Sequence, residues 1–535
     1  MKVKALSRPK STTIRSTNRD IRHEHVNLDP LSHPQSRSRE YVRAVTSAKL
    51  DRMFAKPFVG ELRGGHADAV SVLAACRSSL CPIATGCVDG SIRIWDLANR
   101  RLVASLDGAH SRGVTGLVFG NGGADHGGVY SCGEDGVVRS WSVFPRGGGG
   151  AYSSSSSSSG GGDDDGDEGE DDDGGYGEKK KPRAGKATNA RYAAEGSSSP
   201  SSSSSSSPHG PINVYRLPTS RNDNKYTANN VAFHSIDHHW SEPRFATSSS
   251  DASVRVWDPE RSAPTSTFDD LWGSDDTVTV VRYNPSERDL LAHCSSDRGI
   301  GLHDARTSSP LKKTIMSMRS NCLEWNPMEP YVFAVGNEDH QCYTFDMRKM
   351  HRPTGIYRGH VGAVMSLSWS PTGTEFATGS YDKTMRIFSV RKDSGSGGGP
   401  TSSGSSRDVY HTKRMQRVFC VGYTSDHKYV LSGSDDTNVR LWKARASEKI
   451  GQLSAREETS LRYRDALVAK YAHLPEVKRI HGGRRVPKMI KKGTQAIVVQ
   501  KEKRRRVEGN VVKHSRPGTT KFTDDKAKAI VRTVD

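Results

Sequence analysis

The sequence predicts an all-β fold, a ring of seven four-stranded blades closed into a β-propeller, with a basic N-terminal arm and a basic, partly helical C-terminal extension. Three observations predict it. An Asp stands six residues before an aromatic residue or His at Asp89/Trp95, Asp135/Trp141, Asp251/Trp257, Asp297/His303, Asp339/Phe345, Asp382/Phe388 and Asp436/Trp442, which makes seven copies. The copies recur at intervals of 46, 116, 46, 42, 43 and 54 residues, against the roughly 40–45 of a propeller blade. Within the copies, runs such as Ser91-Ile92-Arg93-Ile94-Trp95 and Met385-Arg386-Ile387-Phe388 alternate apolar with polar residues, and Asp89-Gly90, Asp135-Gly136 and Pro371-Thr372-Gly373 supply turns between strands.

Composition fits a repeat array with solvated tails. A chain of 535 residues exceeds one ordinary core, and only 33% of it is hydrophobic. Residues 1–56 carry 13 Lys/Arg against 5 Asp/Glu, and 454–535 carry 22 against 9, which leaves the middle of a chain of net charge +19 near neutrality. Basic ends on a neutral body point to a polyanionic partner, with nucleic acid ahead of acidic protein. No amphipathic basic helix with a broad apolar face favours a membrane surface. The eight cysteines never form CxxC and lie mostly in strand-like runs, so they read as buried hydrophobes in a reducing compartment, with neither metal nor disulfide expected. An N-terminal apolar leader and an apolar run of about 18 residues are both lacking, so a soluble intracellular protein is expected.

In chain order, the arm covers 1–55, extended over 1–36 and helical over Arg37–Phe54. Phe58–Leu62 is a strand that precedes the first repeat, so ring closure requires it to become the outer strand of the blade containing Trp442. The propeller covers 56–445. It is interrupted at 146–211, where Ser tracts and the acidic run Asp163–Asp173 precede Lys179–Arg183, and at the Gly/Ser-rich 392–407; both inserts read as disordered. The acidic run is a solvating linker or a site for basic proteins. The C-terminal region covers 446–535. Ser454-Ala455-Arg456-Glu457 has the capping-box form that starts a helix. Leu461, Leu467, Val468, Tyr471 and Leu474 supply an apolar stripe that docks on the propeller, and Pro475 ends the helix. Beyond it stand two basic runs, with Arg484, Arg485, Lys488, Lys491 and Lys492 in the first and Lys503, Arg504, Arg505 and Arg506 in the second. Charge at this density suits phosphates; an import signal or a solvated tail is the other reading.

Over roughly 56–445 the chain resembles the WD-repeat β-propellers, with Gly65-His66 and Gly359-His360 matching that family's Gly-His element and Ala109-His110 and Tyr410-His411 as looser versions. The resemblance implies a hydrogen-bonded chain of His, strand Ser/Thr, turn Asp and Trp inside each blade. Full sets are His66/Thr85/Asp89/Trp95, His110/Ser131/Asp135/Trp141 and His411/Ser432/Asp436/Trp442. Blade six has His360, Thr378 and Asp382 but ends in Phe388, and blade three has Thr247, Asp251 and Trp257 without a His. Blades four and five put His293 and Val335 at the Ser/Thr position and His303 and Phe345 at the Trp position. A catalytic Ser-His-Asp triad would occur once, whereas these sets recur at blade period. With no nucleophile elbow, P-loop or HExxH motif, a non-enzyme without cofactor, metal or small-molecule substrate is expected.

After the propeller, SAREETSLRYRDALVAKYAHLPEVKRIHGGRRVPKMIKK resembles the C-terminal domain of the suppressor-of-fibrillarin WD-repeat family. The resemblance implies a nucleolar, nuclear, non-enzymatic scaffold of the small-subunit processome, needed for processing of precursor small-subunit ribosomal RNA and meeting that RNA and small nucleolar ribonucleoprotein proteins. It also implies an alternative, the substrate receptor of a cullin-RING ubiquitin ligase. Paired motifs ending in Asp-x-Arg would contact the ligase's β-propeller adaptor, here Asp304/Arg306 and Asp346/Arg348, which are otherwise ordinary strand-end pairs. The basic ends favour the scaffold.

Overall fold

The computed structural model describes residues 34–62, 65–77, 79–120, 128–142, 210–217, 231–269, 276–307, 310–390, 403–483, 486–516, 519 and 525–534. Most of the N-terminal arm and most of both inserts therefore lie outside the described residues.

Among the described residues seven sheets form, one per copy of the repeat, and each is antiparallel through its four blade strands. Their innermost strands are Val70–Ala75, Val114–Phe119, Phe233–His238, Val278–Tyr283, Ser320–Trp325, Val364–Trp369 and Val418–Tyr423. The ring closes as its sequence requires: Phe58–Leu62 pairs antiparallel with Val439–Lys443, and Leu62 opposite Val439 is buried. The apolar residues sort into seven clusters, one at each blade–blade junction, so every blade is sealed against its neighbours rather than around one common core.

Side chains on the innermost strands stitch blade to blade. Ser71 Oγ donates to Val114 O (2.6 Å) and Thr115 Oγ1 to Phe233 O (2.7 Å). Asp237 accepts from Tyr283 N (2.8 Å), and Glu324 accepts from Trp369 N (2.8 Å). Ser366 accepts from Val421 N (3.0 Å), and Cys420 Sγ reaches Val70 O across the closing junction. Each bond satisfies a backbone group that the blade's own ladder leaves open.

Two blades are wider than expected. The chain's last strand, Ile530–Val534, adds antiparallel to Pro310–Met316 as a fifth strand on blade four. Ser403–Ser405, inside the stretch expected to be disordered, pairs in parallel with Gly355–Arg358 as a fifth strand on blade five. The Gly/Ser composition hid this strand because main-chain pairing needs no particular side chain.

Among the described residues, four α-helices flank the ring. α1 (Ser36–Met53) forms where a helix was expected. α2 (Ala455–Lys470) starts at Ser454, whose side chain accepts from Glu457 N (3.3 Å), half of the expected capping box. Two details of this segment differ from expectation. α2 stops at Lys470, and Pro475 opens α3 (Pro475–Gly482) as a first-turn residue, where its missing N–H costs nothing. The apolar stripe, with Leu467 buried, packs on α1 rather than on the propeller. The small buried face of α1, Ala44, Val45, Ser47 and Ala48, permits that close approach. Glu40 accepts from Lys470 (2.7 Å) and Tyr471 (2.8 Å), and Tyr41 donates to Glu476 (2.6 Å), so both ends of the chain meet in one helical layer. α4 (Lys488–His514) follows.

Candidate nucleic-acid interface and blade networks

Every marker Asp stands at the start of a tight turn. The residue after it has left-handed backbone in all seven blades: Gly90, Gly136, Ala252, Arg298, His340, Lys383 and Thr437. In six blades the Asp carboxylate accepts the N–H two residues on, from Ser91, Val137, Ser253, Gly299, Gln341 and Thr384. This local bond holds the tight turn and explains why the Asp persists where His and Trp are lost.

The wires beyond the turn vary. Blade two has the whole expected set: Trp141 Nε1 donates to Ser131 Oγ (2.8 Å), which lies 2.8 Å from His110 Nε2, and His110 Nδ1 lies 3.0 Å from Asp135. Burial pushes the Asp135 carboxyl up, but hydrogen bonds from His110 and Arg139 outweigh it and hold the group far below the usual range. Blade one differs, since His66 bonds Thr85 (2.7 Å) and reaches Ser91 (3.3 Å) rather than Asp89. Burial, helped by Arg93, lowers His66 to about 4. Blade seven departs from its expected full set: Trp442 donates to Ser432 (2.8 Å), but Asp436 is held by Arg440, and His411 is only half-buried. Blade three keeps Trp257 to Thr247 (2.8 Å), with Arg255 on Asp251. Blade six keeps His360 between Thr378 (2.8 Å) and Asp382 (2.9 Å).

Sequence reasoning missed the cation four residues after the Asp. Arg139, Arg255 and Arg440 all stand there and pair with their Asp, replacing the His contact where it fails. In blade four that position is Gly301, against which the His293 ring rests, and Lys313 from the outer strand reaches Asp297 instead. In blade five Tyr343 donates to Asp339. The signal was legible as an Arg two residues before each Trp.

His303, at the Trp position of blade four, is buried edge-on to Phe268 (4.2 Å between centroids) with neither ring nitrogen hydrogen-bonded. Directly after it, Arg306 forks onto Asp304 (3.1 and 2.8 Å), and in blade five Arg348 forks onto Asp346 in the same way (3.0 and 2.8 Å). Both guanidiniums are largely exposed, and Arg348 also lies over the Tyr331 ring. Lys312 of blade four donates to Arg348 O (3.4 Å), which ties the two motifs together on one face.

The expected polyanion set falls on α4, except Arg484 and Arg485, which lie outside the described residues. Lys488, Lys491, Lys492, Lys503, Arg504, Arg505 and Arg506 are all exposed. None pairs with a carboxylate among the described residues. α4 is held on one side: Ile490 is buried, Gly493 lies against Val361, Lys501 bonds Asp525 (2.9 Å), which also takes Arg358 (3.1 Å), and Glu508 takes Lys528 (2.8 Å). The terminal strand and its approach thus strap α4 to the outer edges of blades four and five. Among the described residues no His/Cys/Asp/Glu cluster could hold a metal, and no helix is long and apolar enough to cross a membrane.

The closed seven-bladed ring with its repeated turn and wiring defines a WD-repeat β-propeller, and WD domain, G-beta repeat matches fall on 58–96, 224–258, 351–389 and 407–443. A Sof1-like domain matches 444–530, spanning α2 to the terminal strand. DDB1- and CUL4-associated factor 13 of Danio rerio is 37% identical over all of both chains, as is its Homo sapiens counterpart, and Protein SOF1 of Saccharomyces cerevisiae is 35% identical over 95% of this chain and 90% of its own. The chain belongs to this Sof1 family of WD-repeat proteins.

Proposed function

We propose that the protein is a non-catalytic scaffold in assembly of the small ribosomal subunit, a nucleolar component of the small-subunit processome that contacts precursor ribosomal RNA. The observation that carries this is α4, a long helix whose outward cations are exposed and pair with no carboxylate among the described residues, while its other side is strapped to the ring. Free positive charge on an ordered rod releases counterions when it meets phosphates. The recurrence of the His–Ser/Thr wiring inside blades supports a structural rather than catalytic use of those groups. The rigid ring then offers its rims to small nucleolar ribonucleoprotein proteins. The test is in-cell crosslinking to RNA with and without residues 454–535. Loss of crosslinks and of nucleolar retention is expected, and retention of both by the truncated chain overturns the proposal.

A second reading, substrate receptor for a cullin-RING ligase, is favoured by the two like Asp-x-Arg forks on adjacent blades and by the relatives' association with DDB1 and CUL4 in name. Arg306→Glu with Arg348→Glu should abolish adaptor pull-down; unchanged recovery disposes of this reading.

A further inference from the structure

We infer that the RNA taken by α4 is duplex RNA, held through its phosphates along one face of the helix; this rests on the RNA-binding reading above. The faces follow from α-helical geometry. At about 100° per residue, Ile490, Gly493, Lys501 and Glu508 share the side strapped to the ring and to the terminal segment. The opposite face carries Lys488, Lys492, Val499, Lys503, Arg506 and Lys513. Lys491 and Arg505 lie on the flanks, Glu502 sits at the edge, and Arg504 falls near the strapped side.

Two features of that outward face select a duplex. Single strands are held chiefly by stacking bases on aromatic rings, yet residues 475–514 contain no Phe, Tyr or Trp. Tyr471, the last aromatic residue before this stretch, is engaged by Glu40 and Tyr41. Moreover, the outward cations form two groups, with Lys492 and Arg506 about 21 Å apart at 1.5 Å per residue. The helix runs unbroken between them, and its strap runs from Ile490 to Glu508. Fixed spacing gains affinity only against a ligand whose charges are equally fixed. A double helix holds its phosphate rows at set separations, whereas a flexible strand must be ordered first. Between the groups, Ala496-Ile497-Val498-Val499 offers no hydrogen bond to a base edge, so binding is sequence-tolerant. Gln495 and Asn510 are the neutral hydrogen-bonding side chains on this face and suit the 2′-hydroxyls of a shallow minor groove.

The experiment uses the full-length chain and fluorescence anisotropy with a mixed-sequence RNA duplex of about 20 base pairs, one of its strands alone, and the DNA duplex of the same sequence. The RNA duplex is expected to bind at least about tenfold more tightly than the strand and more tightly than DNA. Lys492→Gln with Arg506→Gln should weaken duplex binding about tenfold and lower the salt-dependence slope by about two. Arg504→Gln with Arg505→Gln removes the same charge off the face and should cost less than about threefold. Equal binding of strand and duplex, equal binding of DNA, or equal losses in the two double variants each overturn the inference. If no RNA binds at all, the scaffold reading itself falls.

Discussion

At the residue scale, left-handed backbone after each marker Asp is the feature common to all seven blades, but it is tolerated for different reasons. At Gly90 a Cβ would stand 2.1 Å from His110 O, so glycine is required by space as well as by conformation. Thr437 holds the same conformation at φ 67 with a β-branched side chain, the costliest choice there. Relief of about 1–2 kcal/mol of left-handed strain exceeds the ~0.4–1 kcal/mol of extra chain entropy that glycine brings. Thr437→Gly is therefore expected to raise stability, by up to about 1 kcal/mol, in denaturant melts. A lower midpoint would show that Thr437 makes compensating contacts. Trp442→Phe tests the wire instead: it removes the donor to Ser432 and should cost about 1 kcal/mol, with the blade's packing retained.

At the element scale, two terminal strands do opposite jobs. Phe58–Leu62 closes the ring, and without it Val439–Lys443 becomes an unpaired edge beside buried Leu441 and Trp442. Deleting residues 1–62 should lower the melting temperature of the whole ring; melting at the parental temperature would refute closure by this strand. Ile530–Val534 adds to a blade that is already complete, so deleting 525–535 should leave ring melting nearly unchanged while amide exchange across α4 rises, since Lys501 and Arg358 lose Asp525 and Glu508 loses Lys528. Equal exchange in the two proteins would exclude the strap. Closure was legible because an unused strand before the first repeat must pair somewhere. The strap was not legible: AIVRTV has β-forming residues, but nothing local names its partner, and strands that add to an edge are specified by geometry rather than by pattern. The same holds for Ser403–Ser405. The docking of α2 was misread because an apolar stripe shows that a face is buried and not against what, and the small residues of α1 lie about 410 residues upstream.

At the scale of the whole molecule, the ring depends on neutral imidazoles buried between strands. Burial, with Arg93 adding to it, lowers His66 to about 4, and burial lowers His293 to about 3; His360 and His238 are shifted the same way, also by burial first. For each, the unfolded chain binds the proton more readily, so folding releases protons below the ordinary value near 6.5 and stability rises with pH. Their contribution is therefore intact above pH 6.5 and is lost progressively as pH falls from there towards 4. At pH 5, His66 alone would account for a loss of about 2 kcal/mol. The buried Asp135 and Asp382, held below their ordinary range by His110 and His360, lose stability only at lower pH, below about 4. The expected result is a melting temperature that is flat from pH 8 to 6.5, falls from 6.5 to 4, and falls less steeply in His66→Gln, which keeps a hydrogen-bonding group towards Thr85 but cannot titrate. Parallel curves for parent and variant would show that His66 does not carry this dependence.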